Sequence, residues 1–144
     1  MRLALNIMRP LLPNTTWLKL INVVQRISRA GGERLRARGL GSAQFDLLTT
    51  IYKEPGRTQQ DLAEMLGVTK GNASQLVSKL EVKGLVERVA RGAAFSVELT
   101  REGKTFMDSV LPDYDAFMAE QFSRLSQDEL KQLYKLLDKL TGEI

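Results

Sequence analysis

The stretch Gln59-Gln60-Asp61-Leu62-Ala63-Glu64-Met65-Leu66-Gly67-Val68-Thr69-Lys70-Gly71-Asn72-Ala73-Ser74-Gln75-Leu76-Val77-Ser78 decides how the rest of the chain is read. If Ala63 is the small residue on which a second helix rests, apolar residues are needed beside it and one turn on, and Leu62 and Leu66 stand there. The tight turn between the helices calls for glycine, which Gly67 supplies, followed by Val68 as a buried residue. The second helix then turns Ala73, Leu76, Val77 and Leu80 inward at one-turn spacing. Its outer face carries Lys70, Asn72, Ser74, Gln75, Ser78 and Lys79, with no carboxylate before Glu81. Such side chains donate to base edges and phosphates, so the frame predicts a helix-turn-helix that reads double-stranded DNA.

Outward from this frame, Thr58 is placed to cap the third helix, with Asp61 completing a capping box. Downstream, Lys83-Gly84-Leu85-Val86 reads as a helix stop leading into extended chain. Val86–Val89 and Phe95–Leu99 suit two strands around a tip of Ala90-Arg91-Gly92-Ala93-Ala94. A hairpin following a helix-turn-helix is a wing, with Arg91 at its tip. Upstream, Asn14, Thr15 and Thr16 offer a cap for a first helix running to about Arg38, weakened at Gly31-Gly32, where a bend is expected. Ser42 caps a second helix to about Lys53, and Pro55-Gly56 is a turn. Thr100 caps a long fifth helix to about Leu125, which Pro112 should kink. Ser126 and Glu129 form a capping box for a sixth, striped by Leu130, Leu133, Leu136, Leu137 and Leu140. The expected fold is therefore mainly α with a small two-stranded β wing.

Composition narrows the function. With 21 basic and 17 acidic residues the 144-residue chain carries a net +4, distributed unevenly. Residues 1–41 hold eight basic side chains and one acidic, residues 57–104 eight and six, and residues 105–144 four and eight. The acidic C-terminal part is a poor surface for a polyanion. Without Cys or His there is no disulfide, thiol switch, Cys/His zinc site or His-based triad. No Asp-rich metal loop and no Gly-rich phosphate loop appears, so neither a metal, a cofactor nor an enzyme is expected. The first residues hold too short an apolar run for a secretory signal, and no run approaches a membrane span; the expected location is the cytoplasm.

The winged helix-turn-helix is complete within residues 42–104. The flanking segments, 1–41 and 105–144, carry apolar stripes longer than one thin domain can cover, which points to self-association. The chain is expected to be one domain, 1–144, with those segments as dimerisation helices. A dimer sets two recognition helices on one face, ready for a two-fold operator.

Gln44-Phe45, Gln60-Asp61-Leu62-Ala63, Leu66-Gly67-Val68-Thr69-Lys70 and Ser74-Gln75-Leu76-Val77 carry a family resemblance. It continues through Leu80-Glu81-x-Lys83-Gly84-Leu85-Val86-Glu87-Arg88 and Leu99-Thr100-Arg101-Glu102-Gly103, and the chain resembles the MarR-type transcriptional regulators over nearly its whole length. The resemblance implies a homodimeric repressor that binds a short palindrome and is released by a small aromatic or anionic effector. One departure concerns the wing, whose family pattern places an acid beside the tip arginine; the tip here is shorter and has no acid.

The DNA contacts expected are Arg57, Thr69, Lys70, Asn72, Ser74, Gln75, Ser78, Lys79, Arg88 and Arg91. Asn72, Ser74 and Gln75 suit base edges, Lys70 and Lys79 suit phosphates, and Arg91 suits the minor groove. Arg88 has an alternative in a local pair with Glu87 or Glu98. An effector pocket is expected where the first helix meets the second and the start of the fifth. Trp17, Phe45 and Tyr52 would form its aromatic walls and Arg26 its counter-charge. Trp17 has an alternative role in dimer packing. The competing function is a winged-helix module that binds protein and never DNA.

Overall fold

A computed structural model of the protein describes residues 11–142. The apolar run at residues 1–6 lies outside them. The elements are α1 (Leu12–Ala37), α2 (Ser42–Lys53), α3 (Gln59–Leu66), α4 (Lys70–Val82), β1 (Val86–Arg91), β2 (Ala94–Leu99), α5 (Arg101–Gln121) and α6 (Gln127–Thr141). Two compact units divide within α2, between Phe45 and Asp46. Among the described residues, no helix is long and apolar enough to cross a membrane.

In the first unit, α1 begins at Leu12, ahead of the expected cap at 14–16. Pro13 in its first turn explains the early start, because its fixed φ suits a helix and its missing N–H would have no partner there. Thr15 lies inside the helix, with its hydroxyl donating to the Leu11 carbonyl at 3.0 Å. The helix runs on through Gly31 and Gly32, both buried. Gly41, whose carbonyl accepts from Phe45 N–H at 3.0 Å, takes the cap position expected of Ser42; Ser42 is the first residue of α2.

The second unit carries the helix-turn-helix. Thr58 caps α3 and forms a capping box with Asp61, whose carboxyl is held below its ordinary range by the Thr58 N–H and hydroxyl. Gly67 takes the left-handed φ of +64° that ends α3, and the Val68 N–H returns to the Ala63 carbonyl at 3.0 Å. Leu47, Leu48, Leu62, Ala73, Val77, Leu80 and Val97 are fully enclosed, while Leu76 is only half-buried. The helix-turn-helix thus closes largely through the residues that the period of the sequence selects.

The wing is tighter than the sequence suggests. β1 and β2 pair antiparallel from Val86↔Leu99 to Arg91↔Ala94, leaving a turn of Gly92 and Ala93 alone. Gly92 has φ +63°, a conformation that two-residue hairpin turns favour and that glycine adopts freely. The hairpin is also tied to the chain before α3. Thr58 bridges Ser96, and Val97 N–H donates to the Arg57 carbonyl at 3.0 Å. A bare two-stranded ribbon would be marginal; this short third pairing supports it.

α5 is fixed to the end of the helix-turn-helix by backbone contacts. The Thr100 hydroxyl accepts from Gly103 N–H at 3.0 Å and donates to the Gly84 carbonyl at 2.5 Å. Thr100 N–H donates to the Leu85 carbonyl at 3.1 Å. A Cβ on Gly103 would lie 1.9 Å from that same Leu85 oxygen, so glycine alone allows the approach. The helix passes through Pro112 and ends at Gln121, short of Leu125; residues 122–125 form a turn in which Ser123 Oγ donates to the Glu120 carbonyl at 2.7 Å.

Gly103→Ala must push α5 away from Leu85. We expect a loss of about 1–3 kcal/mol, as for other overpacking changes, visible as a lower urea midpoint. Gly71→Ala, on an exposed helical surface with room for a Cβ, serves as the comparison and should not destabilise.

Candidate nucleic-acid interface

α4 is capped by Thr69, whose hydroxyl accepts from Asn72 N–H at 3.1 Å. Thr69 therefore acts first as a helix cap. The cap fixes the N-terminal turn, whose remaining free N–H groups and dipole favour negative charge. Lys70, Asn72, Gln75 and Lys79 are all exposed, and among the described residues their side chains have no hydrogen bond or ion pair. These four side chains are free to meet a ligand. Ser74 is half-buried, and Ser78 is exposed beside Arg88.

Arg88 is engaged within the fold. Its guanidinium pairs with Glu81 of α4 and reaches Gln59 Oε1 of α3 from Nε at 3.3 Å and from Nη2 at 3.1 Å. Nη2 also lies 3.5 Å from both the Ser74 carbonyl and Ser78 Oγ. The local partner is thus Glu81 rather than Glu87 or Glu98. Glu81 had a signal in the sequence as the lone carboxylate of the recognition helix; Gln59 had none.

Arg91 ends β1, and its Nη2 donates to Glu98 Oε1 at 2.7 Å. Ser96 Oγ donates to the same oxygen at 3.2 Å. The Arg91 bond, helped by the weaker Ser96 bond, holds the Glu98 carboxyl below its usual range against the opposing effect of burial. The wing therefore has an acid beside its arginine after all, supplied by the opposite strand. Arg57, the remaining expected cation, is exposed and donates to Glu54 Oε2 at 2.7 Å from Nη2 and 3.1 Å from Nε.

The residues expected to form an effector pocket are placed as follows. Trp17 is 62% exposed on α1. Arg26 lines a shallow hollow along α1 with Asn22, Gln25, Arg29, Ala30 and Glu33. Phe45 is buried. Tyr52 donates its hydroxyl to Asp108 Oδ1 at 2.8 Å, which raises the tyrosine pKa, and it lines a second hollow beside Pro55, Glu98 and Lys104. Among the described residues, no group of His, Cys, Asp and Glu could hold a metal ion.

Residues 38–93 match the family model described as the MarR family. Over 125 residues the chain is 33% identical to an uncharacterized HTH-type transcriptional regulator of Bacillus cereus, covering 86% of this chain and 85% of that one. AbsC, a MarR family transcriptional regulator from Streptomyces coelicolor, shares the fold with a TM-score of 0.82 at 21% identity, over 90% of this chain and 91% of its own. A mutant MarR from E. coli complexed with operator DNA is similar at a TM-score of 0.77 and 25% identity, over 92% of this chain and 96% of its own.

The division between free and engaged side chains can be measured without DNA. Arg88→Ala leaves Glu81 and Gln59 without their shared donor and should cost about 1–3 kcal/mol. Gln75→Ala removes a side chain without internal contacts and should stay within about 0.5 kcal/mol of the parent. Chemical denaturation of both variants checks the contrast; equal stability would place Arg88 among the free surface cations.

Proposed function

The chain belongs to the MarR family of DNA-binding transcriptional regulators, and from that premise we propose a homodimeric repressor that grips a palindromic operator and releases it when a small aromatic or anionic molecule binds. The observation that carries the DNA half is the exposed face of α4, where Lys70, Asn72, Gln75 and Lys79 have no internal partner among the described residues. Asn72, Ser74 and Gln75 read base edges in the major groove. Lys70 and Lys79 neutralise phosphates, with Thr69, Ser78 and Arg57 at the margins of the contact. Arg91 reaches the minor groove, giving up Glu98 as it does so. Arg88 acts from behind, by holding α4 in place.

Residues 42–104 form the DNA-binding core in this reading, and 1–41 with 105–144 form the dimer. Support comes from apolar surface that the single chain leaves open. α1 exposes Leu12, Trp17, Leu18, Val23 and Val24. α6 buries none of its 15 residues and exposes Tyr134, Leu136, Leu137 and Leu140. A helix of that length is marginal in water on its own, so a second copy of the chain is its natural cover. Two-fold symmetry then sets the recognition helices about one turn of DNA apart, roughly 34 Å.

Two experiments test the reading. Gln75→Ala should cost about 1–3 kcal/mol on an operator selected from random DNA and little on unselected DNA; an equal loss on both would remove Gln75 from base readout. Deleting residues 126–144 takes away five leucines, and sedimentation should then find monomer or aggregate with operator binding lost. An intact dimer after that deletion would overturn the assignment of the C-terminal segment.

A further inference from the structure

A hollow of about 420 Å³ lies between the start of α3, the middle of α4 and the first residues of β2, with Gln60, Ser74, Arg88, Ala94 and Phe95 in its lining. Phe95 shares one face of the hairpin with Val97 and Leu99, across from Val86, Arg88 and Ala90. Val97 is enclosed and Leu99 half-buried, whereas Phe95 is 57% exposed. The core therefore ends before the Phe95 ring, which is left to line the hollow. The cation beside it carries no spare charge, because the Arg88 guanidinium is paired with Glu81 and bonded to Gln59. What the lining offers is carbon surface, largely from the ring, with the neutral polar groups of Gln60 and Ser74. Free charge stands only to either side, at Lys70 and Lys79 on α4 and at Arg91, the register partner of Ala94.

We propose that Phe95 is a DNA-contact residue whose ring packs against a deoxyribose of the strand that passes between the two grooves. Duplex geometry decides the occupant. The major groove and the minor groove next to it are separated by one sugar-phosphate backbone, so a protein that enters both must straddle it. Ser74 of α4 forms one side of the hollow, and Ala94, beside the wing arginine, forms another. The hollow therefore faces that backbone when α4 and Arg91 make their proposed contacts. Phosphate oxygens call for cations and donors. A hollow lined by an aromatic ring and a compensated guanidinium suits the sugar instead, whose carbon edge is the uncharged part of the backbone. Such a contact fixes the depth and angle of the recognition helix and carries no sequence information. It rests on the proposed DNA-binding role of α4 and Arg91, and adds to them a residue with no signal of its own in the sequence.

The test uses the full chain and an operator selected from random DNA. Hydroxyl radicals cut DNA by attacking deoxyribose, so footprinting with them reads sugar contacts directly. The parent should protect sugars on the strand between the two grooves. Phe95→Ala should lose that protection and keep the protection along the recognition helix, while Phe95→Leu should keep most of both. Affinity should fall on the order of tenfold per half-site in Phe95→Ala, about 1.4 kcal/mol, and by a similar factor on unselected duplex. The salt dependence should not change, because a sugar contact releases no counterion, whereas Lys70→Ala should lower the slope by about one. Thermal melts and sedimentation should find both Phe95 variants folded and in the parent's oligomeric state. An unchanged footprint and affinity in Phe95→Ala would overturn the contact. So would a reduced salt slope, which marks a phosphate; a loss confined to the operator, which marks a base; or a changed oligomeric state, which places Phe95 between subunits. A parent chain that binds no duplex would overturn the DNA reading itself, and the Phe95 contact with it.

Discussion

Arg88 joins three stretches of chain that are remote from one another in sequence: Gln59 at the start of α3, Glu81 near the end of α4, and its own strand β1. A recognition helix is useful only when its orientation is fixed, because a base-edge hydrogen bond tolerates little displacement. The guanidinium suits this task since its donors lie in one plane and leave in several directions at once; an ammonium would act as a single point. The pairing has an electrostatic consequence as well. Glu81 is the lone carboxylate of α4, and an unneutralised acid there would repel the phosphates that the neighbouring lysines are proposed to meet. Arg88 cancels that charge from the protein side, so the outer face of the helix stays positive.

The family motifs owe much of their form to backbone geometry. In Leu-Thr-x-x-Gly, Thr100 both caps α5 and ties it to Gly84, and Gly103 is required by the Leu85 oxygen. In Leu-Glu-x-Lys-Gly-Leu-Val-x-Arg, Glu81 and Arg88 are the two ends of one ion pair, while Gly84 turns the chain at φ +74°. These features were legible because they are local or because the motif itself holds both partners. The Thr58–Asp61 capping box was legible for the same reason, as were the enclosed positions Leu62, Ala73, Val77 and Leu80, whose helical period marks them.

Features that depend on register were hidden. Read with a five-residue tip, the wing gives no way to place Arg91 opposite anything. Once Gly92 and Ala93 are the whole turn, Arg91, Ala94, Ser96 and Glu98 share one face of the hairpin, and the brace on Arg91 follows from the pairing. The Thr58–Ser96 bridge was equally invisible, since it joins residues nearly forty positions apart without a sequence pattern of its own. The Tyr52–Asp108 hydrogen bond was hidden as well, because nothing in α2 announces Asp108, two helices and a hairpin later. The early start of α1 was different in kind: three good capping residues at 14–16 competed with Pro13, and a proline in the first turn prevailed.

The cations proposed to meet DNA thus fall into two kinds. Lys70 and Lys79 face solvent without internal partners among the described residues, so neither gives up an internal ion pair when a phosphate arrives. Arg91, paired with Glu98, would have to leave it first to make its proposed contact. An exposed ion pair is worth only about 0–1 kcal/mol, so that exchange is close to balanced and either outcome lies within reach of a modest bias. A contact already strong in one state is hard for a small ligand to reverse, because the ligand must supply the whole difference. On the proposed contacts, the wing arginine is therefore the better place for control, and α4 the better place for affinity. The same hairpin face that gives Arg91 its alternative partner also forms one wall of the hollow beside Tyr52 and Lys104.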